Sequence, residues 1–260
     1  MSENEHLQEF SLLLSEAAGQ AILPHFRQKL AVDNKLGLGW DPVTVGDKDA
    51  EIAIRALIEK HYPTHGIIGE EFGTKTGTSA YTWVLDPIDG TRAFVIGIPT
   101  WATLIGLYKD GKPFMGVMAQ HYVGETFYGG PQGSFLRHGG KTNPIRCAGP
   151  KPLAQALAGT TSPHLFKNED AIDALRARVQ LLRYGGDAYF FTLMAAGHMD
   201  IALDAGLQIY DVAALIPIIR GAGGVVGTWD GGDEAQGGNI LAASCQSLFE
   251  EAKSALIGGN

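Results

Sequence analysis

Two carboxylates end an apolar run in the segment Trp83-Val84-Leu85-Asp86-Pro87-Ile88-Asp89-Gly90-Thr91. Val84 and Leu85 favour a strand, Asp-Pro interrupts it and Asp-Gly continues the turn, so both side chains and the Ile88 carbonyl can converge on one small volume. Oxygen-only surroundings of that kind suit a hard cation such as Mg2+, which keeps positions open for phosphate oxygens. An isolated turn of this composition can equally cap its own backbone. Three further acidic segments shift the balance. Gly66-Ile67-Ile68-Gly69-Glu70-Glu71 again delivers acids at the end of a short apolar strand. Tyr210-Asp211-Val212-Ala213-Ala214 opens a helical pattern that runs through Leu215, Ile218 and Ile219 to Gly221-Ala222-Gly223-Gly224, where Asp211 is either a metal ligand or an acid favoured by the helix dipole. Asp41-Pro42-Val43-Thr44-Val45-Gly46-Asp47 leads into a helix expected over 48–61, and Asp47 taken alone reads best as its cap.

The elements that must position these acids follow from periodicity. Leu7, Phe10, Leu13, Leu14, Ala17, Ala21 and Ile22 predict an amphipathic helix within 6–28. Runs 102–108 and 113–119 flank Lys109-Asp110-Gly111-Lys112 as a hairpin, with short strands near 126–128 and 134–136, so the first half reads as helices plus an antiparallel sheet. After about 150 the pattern alternates: strand 157–160, helix 168–178, strand 179–184, helix 188–198, strand 200–204, helix 210–220, strands 225–229 and 239–243, and a closing helix from about Ser247. A boundary near 145–150 divides an N-terminal α+β lobe, 1–146, from a C-terminal α/β lobe, 147–260.

Composition narrows the function. The chain has 260 residues, 45% of them hydrophobic, enough for a sizeable core, and 35 glycines imply many tight turns. A net charge of −8 with scattered Lys and Arg argues against nucleic-acid or anionic-membrane binding. The amino terminus lacks a signal-peptide pattern and no apolar run approaches the ~20 residues that span a bilayer, so a soluble cytoplasmic protein is expected. Cys147 and Cys245 form no disulfide framework or C-x-x-C and read as buried thiols. Gly73–Thr78 holds no phosphate-binding loop motif, and Gly221–Gly224 follows a helix rather than a strand. Pro63 breaks the helix that would align His61 and His65 on zinc. The Gly-rich stretch 230–238 lacks alternating calcium ligands and reads as a surface connection. No Ser or Cys nucleophile arrangement stands out.

In order, Asp-Pro-Val-Thr…Asp, Gly-Glu-Glu, Asp-Pro-Ile-Asp-Gly-Thr and Tyr-Asp-Val-Ala-Ala…Gly-Ala-Gly-Gly resemble the inositol monophosphatase superfamily over nearly the whole chain. The resemblance implies an α-β-α-β-α sandwich, of α+β and α/β halves, with the site where the lobes meet. It implies two or three Mg2+ ions: Glu70, Asp86 and the Ile88 carbonyl on one, Asp86, Asp89 and Asp211 on a second, Glu70 bridging to a weaker third. Thr91, with Glu70 and Asp47, would position the attacking water, and the Gly90 and Thr91 amides would cradle phosphate. A homodimer and lithium sensitivity are implied by family alone.

Gly185-Gly186-Asp187-Ala188-Tyr189, Gly206-Leu207-Gln208-Ile209-Tyr210-Asp211 and Ala158-Gly159-Thr160-Thr161-Ser162-Pro163 look like the histidinol-phosphate phosphatase branch. Inositol-cleaving members usually carry Trp-Asp at 210–211 and a small residue at 187. The substrate is therefore expected to be a small phosphorylated alcohol, histidinol phosphate before inositol phosphate or another sugar or polyol phosphate. Asp187 is the expected contact to the leaving group, or a cap of the following helix. Asp204 is a second contact, or a solvated strand-end acid. A Mg2+-dependent binding protein without turnover is disfavoured, because Glu70, Asp86, Asp89, Thr91 and Asp211 are all present.

Overall fold

The computed structural model describes residues 2–28, 33–34, 42–167 and 169–258, so Asp41 and Asn168, at the edges of two predicted elements, lie outside the described residues. The strands are β1 Asp33–Asn34, β2 Pro42–Val43, β3 Gly66–Gly69, β4 Gly73–Lys75, β5 Tyr81–Asp89, β6 Ala102–Lys109, β7 Lys112–Gln120, β8 Glu125–Gly130, β9 Gly133–His138, β10 Lys141–Pro144, β11 Leu157–Thr160, β12 Leu181–Tyr184, β13 Ile201–Leu207, β14 Val225–Thr228 and β15 Gly238–Ala243. The helices are α1 Glu3–Ile22, α2 Val45–His61, α3 Thr91–Ile96, α4 Glu169–Arg176, α5 Asp187–Ala195, α6 Ile209–Val212, α7 Leu215–Gly221 and α8 Gln246–Ile257.

Among the described residues the strands make an eight-stranded sheet, β10-β9-β8-β7-β6-β5-β3-β4, and a five-stranded sheet, β12-β11-β13-β15-β14, beside the small β1-β2 pair. Both larger sheets are mixed: β3 runs parallel to β5 in the first, and β11 runs parallel to β12 and β13 in the second. Helices α1 and α2 cover one face of the first sheet, α5 and α7 fill the space between the sheets, and α4 with α8 covers the far face of the second. This is the layered α-β-α-β-α sandwich expected. The middle layer joins the halves: Leu104, Met118 and Phe127 pack in one cluster with Phe191, Met194, Ile216 and Ile219.

Several boundaries differ from the sequence pattern for identifiable reasons. Ser2 and Glu5 form a capping box, so α1 starts before the apolar stripe, and it gives way to a 3-10 turn at Leu23–His25, where Pro24 lacks the N–H to continue it. Leu13, counted on the apolar face, is 43% exposed. The predicted 210–220 helix is two: Pro217 cannot donate to Ala213, and the chain breaks between α6 and α7 at Ala213-Ala214. Neither cysteine is fully buried. His65 accepts from Trp83 Nε1 at 3.1 Å inside an aromatic cluster. The 230–238 connection carries a 3-10 turn whose Ala235 is buried and accepts from the Tyr108 hydroxyl at 2.5 Å.

Candidate metal centre

Asp86 and Asp89 stand three residues apart, which in a regular strand would send them to opposite faces. The chain does not turn away at Asp-Pro as expected: β5 continues through Asp89, with a register shift in which Asp86 opposes Leu104 and Asp89 opposes Ala102. That bulge places one extra residue on β5 and reverses the alternation, so both acids can reach the same side. Pro87 is the natural place for it, since it has no N–H for the ladder. Its carbonyl is held instead by Thr103 Oγ at 2.7 Å, and His121 Nε2 lies 2.9 Å from the same hydroxyl. With the hydroxyl proton given to Pro87, His121 is fixed as the Nε2–H donor; burial lowers its pKa to about 4.

Asp211 arrives from the other half of the chain. The Ala213-Ala214 corner after α6 rests on Gly106 of β6 and Gly116 of β7, where any Cβ would collide with it. This close approach carries Asp211 to the bulge, and Asp86, Asp89 and Asp211 each offer a carboxylate oxygen within 4.8 Å of the others. Asp211 also accepts from Gln208 N at 2.6 Å, so helix capping and membership of the cluster are compatible. Glu70 follows directly on β3; its N–H bonds Leu85 O at 3.1 Å, and its side chain hydrogen-bonds Asp86. Burial, then the surrounding carboxylates, raises Asp86 and Asp89 well above the usual range, and burial raises Asp211 to about 7.

These acids line a cleft of about 400 Å³ with Gly90, Thr91, Arg92, Asp187 and Asp204. Gly90, at φ 78°, turns the chain into α3, and Thr91 Oγ donates to Ile88 O at 3.0 Å. Asp47 is the third helical residue behind the cap Thr44; its buried carboxylate accepts from Thr44 N at 2.8 Å and Thr44 Oγ at 2.7 Å, and burial, with the nearby charges of Glu71 and Glu70 adding to it, raises its pKa to about 7.

The two leaving-group candidates are not what their simpler readings suggest. Asp187 does not cap α5: it is the first helical residue, the cap position is Gly186 with no side-chain bond, and the Ala188 N–H donates to Asp89 at 2.8 Å. Asp187 instead adopts a left-handed backbone, φ 46°, and places its carboxylate against Gly90 and 3.3 Å from Thr100 Oγ. Asp204 is not solvated; it is 3% exposed and accepts from Thr160 Oγ at 2.6 Å and from Thr161 N and Oγ at 2.8 Å each. Thr100, Thr103 and His121 gave no signal in the sequence, because isolated Thr and His residues are common in strands. The Thr160-Thr161 pair at a strand end was visible as a motif, but not as the partner of Asp204.

The donor set fits a divalent cation. Asp86 Oδ1 is buried without a hydrogen-bond partner, inside a cluster whose every member is an oxygen donor and whose mutual repulsion a cation would reverse. A family model for the inositol monophosphatase family matches residues 3–257. The chain belongs to that family. The Arabidopsis thaliana bifunctional phosphatase IMPL2, chloroplastic, is 37% identical over 256 residues, covering 94% of this chain and 72% of that protein. The histidinol-phosphatase of Chlorobaculum parvum is 32% identical over 250 residues, covering 90% and 95%. Among solved structures, an inositol monophosphatase from Zymomonas mobilis is 35% identical with a TM-score of 0.87, covering 99% of this chain and all of that one. As a member of the inositol monophosphatase family the protein is a phosphate monoester hydrolase, and the family is generally Mg2+-dependent.

Proposed function

We propose that the protein hydrolyses histidinol phosphate, releasing histidinol and phosphate. The observation that carries this reading is the placement of Asp187, a carboxylate on the cleft wall that caps no helix and is held in a left-handed backbone beside Gly90. A second acid, Asp204, lines the same cleft. A phosphate dianion is matched by cations, whereas two carboxylates beyond the metal cluster suit a leaving group that is itself cationic, as the amine of histidinol is.

Glu70, Asp86, Asp89, Asp211 and the Ile88 carbonyl would hold two or three Mg2+ ions. Bound there, the ions would neutralise phosphate oxygens, acidify a water and stabilise the departing alkoxide. The protein's own part is orientation. Thr91 Oγ has given its proton to Ile88, so it faces a water as an acceptor, and Glu70 takes the second water proton. The amides of Gly90 and Thr91, at the start of α3, bind phosphate oxygens. Water attacks phosphorus, the bond to the alcohol oxygen breaks, and that oxygen takes up a proton from solvent while Glu70 returns its own to solvent. A homodimer belongs to this reading on family grounds.

Inositol phosphate is the second reading, favoured by the 35% identity to the Zymomonas mobilis inositol monophosphatase. A substrate panel with Asp187→Ala separates the two. A charge-assisted hydrogen bond is worth about 1.5–3 kcal/mol, so kcat/KM on histidinol phosphate should fall roughly 10- to 150-fold while glycerol phosphate and inositol phosphate change little. Equal losses on cationic and neutral substrates would remove Asp187 from recognition. A wild-type preference for inositol phosphate would favour the second reading.

A further inference from the structure

The buried face of α2 carries two carboxylates, Asp47 and Glu51, one turn apart among Ala50, Ile54 and Ile58. Glu51 is fully buried, yet none of its bonds serves α2's own backbone. Its carboxylate accepts from Glu71 N at 2.8 Å, from Phe72 N at 3.2 Å and from Arg55 Nε at 2.7 Å. Arg55 continues the link by donating through its other arm to Gly73 O. On the opposite side of Glu70, Gly69 lies so close that any side chain there would overlap the Glu51 carboxylate. Glu70 is thus flanked on both sides by backbone in contact with Glu51, while its own N–H is tied to β5 through Leu85.

We propose that Glu51, braced by Arg55, is a positioning residue that sets where the Glu70 carboxylate stands in the metal centre. The residue type fits the task. A carboxylate offers two acceptor oxygens to two successive amides and a guanidinium, whereas a glutamine would point an NH2 at one of those donors, and an aspartate would fall short of the turn by a methylene. A buried ion pair is a poor source of stability compared with apolar packing of the same volume, so its presence beside a ligand turn points to geometry. Partners one step behind a metal ligand typically change metal affinity 10- to 100-fold when removed.

The proposal rests on Glu70 being a metal ligand, as the proposed function holds, but not on the identity of the substrate. Calorimetric titration of metal-free protein with Mg2+ tests it without catalysis. Glu51→Gln should raise the Mg2+ dissociation constant about 10- to 100-fold. At saturating Mg2+, kcat and the substrate KM should return to within about threefold of wild type, which a general loss of folded protein would not produce. Arg55→Ala, at the partly exposed end of the clamp, should shift affinity in the same direction by less, and it serves if Glu51→Gln does not fold. Unchanged Mg2+ affinity in a folded Glu51→Gln, or in Arg55→Ala when that is the one that folds, overturns the proposal. Glu70→Gln is the control: if it also leaves Mg2+ affinity unchanged, the assignment of Glu70 as a ligand fails instead.

Discussion

Asp204→Asn should stabilise the metal-free protein, and do so only above acidic pH. Asp204 is 3% exposed, and burial pushes its carboxyl up to about 7 from 3.8, outweighing the hydrogen bonds from Thr160 and Thr161 that favour the charged form. Between those two values the folded protein keeps a proton that the unfolded chain has released. Stability is therefore fully present below about pH 4 and is lost as pH rises through about 7. Three pH units at 1.36 kcal/mol each set an upper figure of roughly 4 kcal/mol. Asparagine keeps an oxygen for Thr160 Oγ and Thr161 N, and its amide can donate to Thr161 Oγ, so no bond need be lost. Urea unfolding in excess chelator at about pH 4.5 and pH 8 measures the difference. The variant should gain about 2–4 kcal/mol at pH 8, roughly 5–15 °C in Tm, and under about 1 kcal/mol at pH 4.5. No gain at pH 8, or the same gain at both, would refute burial as the dominant influence on Asp204.

The metal cluster and the nucleophile give two further tests. Asp89→Asn keeps an acceptor for Ala188 N–H, so it should fold, yet lower phosphatase activity more than about 100-fold and weaken the thermal stabilisation by Mg2+, which for wild type reaches about 2.7 kcal/mol at a hundred times the dissociation constant. Near-normal turnover of the folded variant, or full activity of wild type after exhaustive chelation, would refute the assignment. Water is the expected nucleophile, so rapid quenching with labelled substrate should leave no phosphate on the protein; a phosphorylated side chain on the reaction path would contradict this.

The candidate metal ligands were legible in the sequence because Glu70, Asp86 and Asp89 follow short apolar runs beside turn residues, and Asp211 opens a helical pattern. Their convergence was not. The bulge at Pro87 that puts Asp86 and Asp89 on one side is a matter of register, and register depends on Leu104 and Ala102 across the ladder. The glycine seats at 106 and 116 look like ordinary strand glycines until the Ala213-Ala214 corner is seen against them. Helix α2 carried a sign of its own, since Asp47 and Glu51 fall on the same stripe as Ala50, Ile54 and Ile58; their partners Thr44 and Arg55 lie within one turn, but the Glu71 and Phe72 amides that Glu51 also holds are distant in the chain. The split of α6 from α7 was also within reach, since Pro217 was visible and its effect on the preceding turn is general.

Substrate choice turns on how the Asp187 backbone is read. A non-glycine residue at φ 46° costs on the order of 1–2 kcal/mol, and glycine would occupy that position without penalty. The strain persists with a carboxylate aimed into a cleft already crowded with acids, where burial raises the pKa of Asp187 itself. Within the protein, the Thr100 and Thr161 hydroxyls and the Arg92 charge favour the ionised form against burial, so Asp187 stands on the cleft wall as a supported acid that a cationic leaving group could meet. Three substitutions divide the possibilities. Asp187→Gly removes charge and strain together, Asp187→Ala removes the charge and keeps the strain, and Asp187→Asn removes the charge in a residue that tolerates the left-handed region. If the carboxylate recognises a cationic leaving group, all three should lower kcat/KM for histidinol phosphate relative to glycerol phosphate by a similar roughly 10- to 150-fold factor, while their stabilities differ. If the residue serves only to shape the loop beside Gly90, Asp187→Asn should behave as wild type on both substrates, and that outcome would withdraw histidinol phosphate from its place ahead of inositol phosphate.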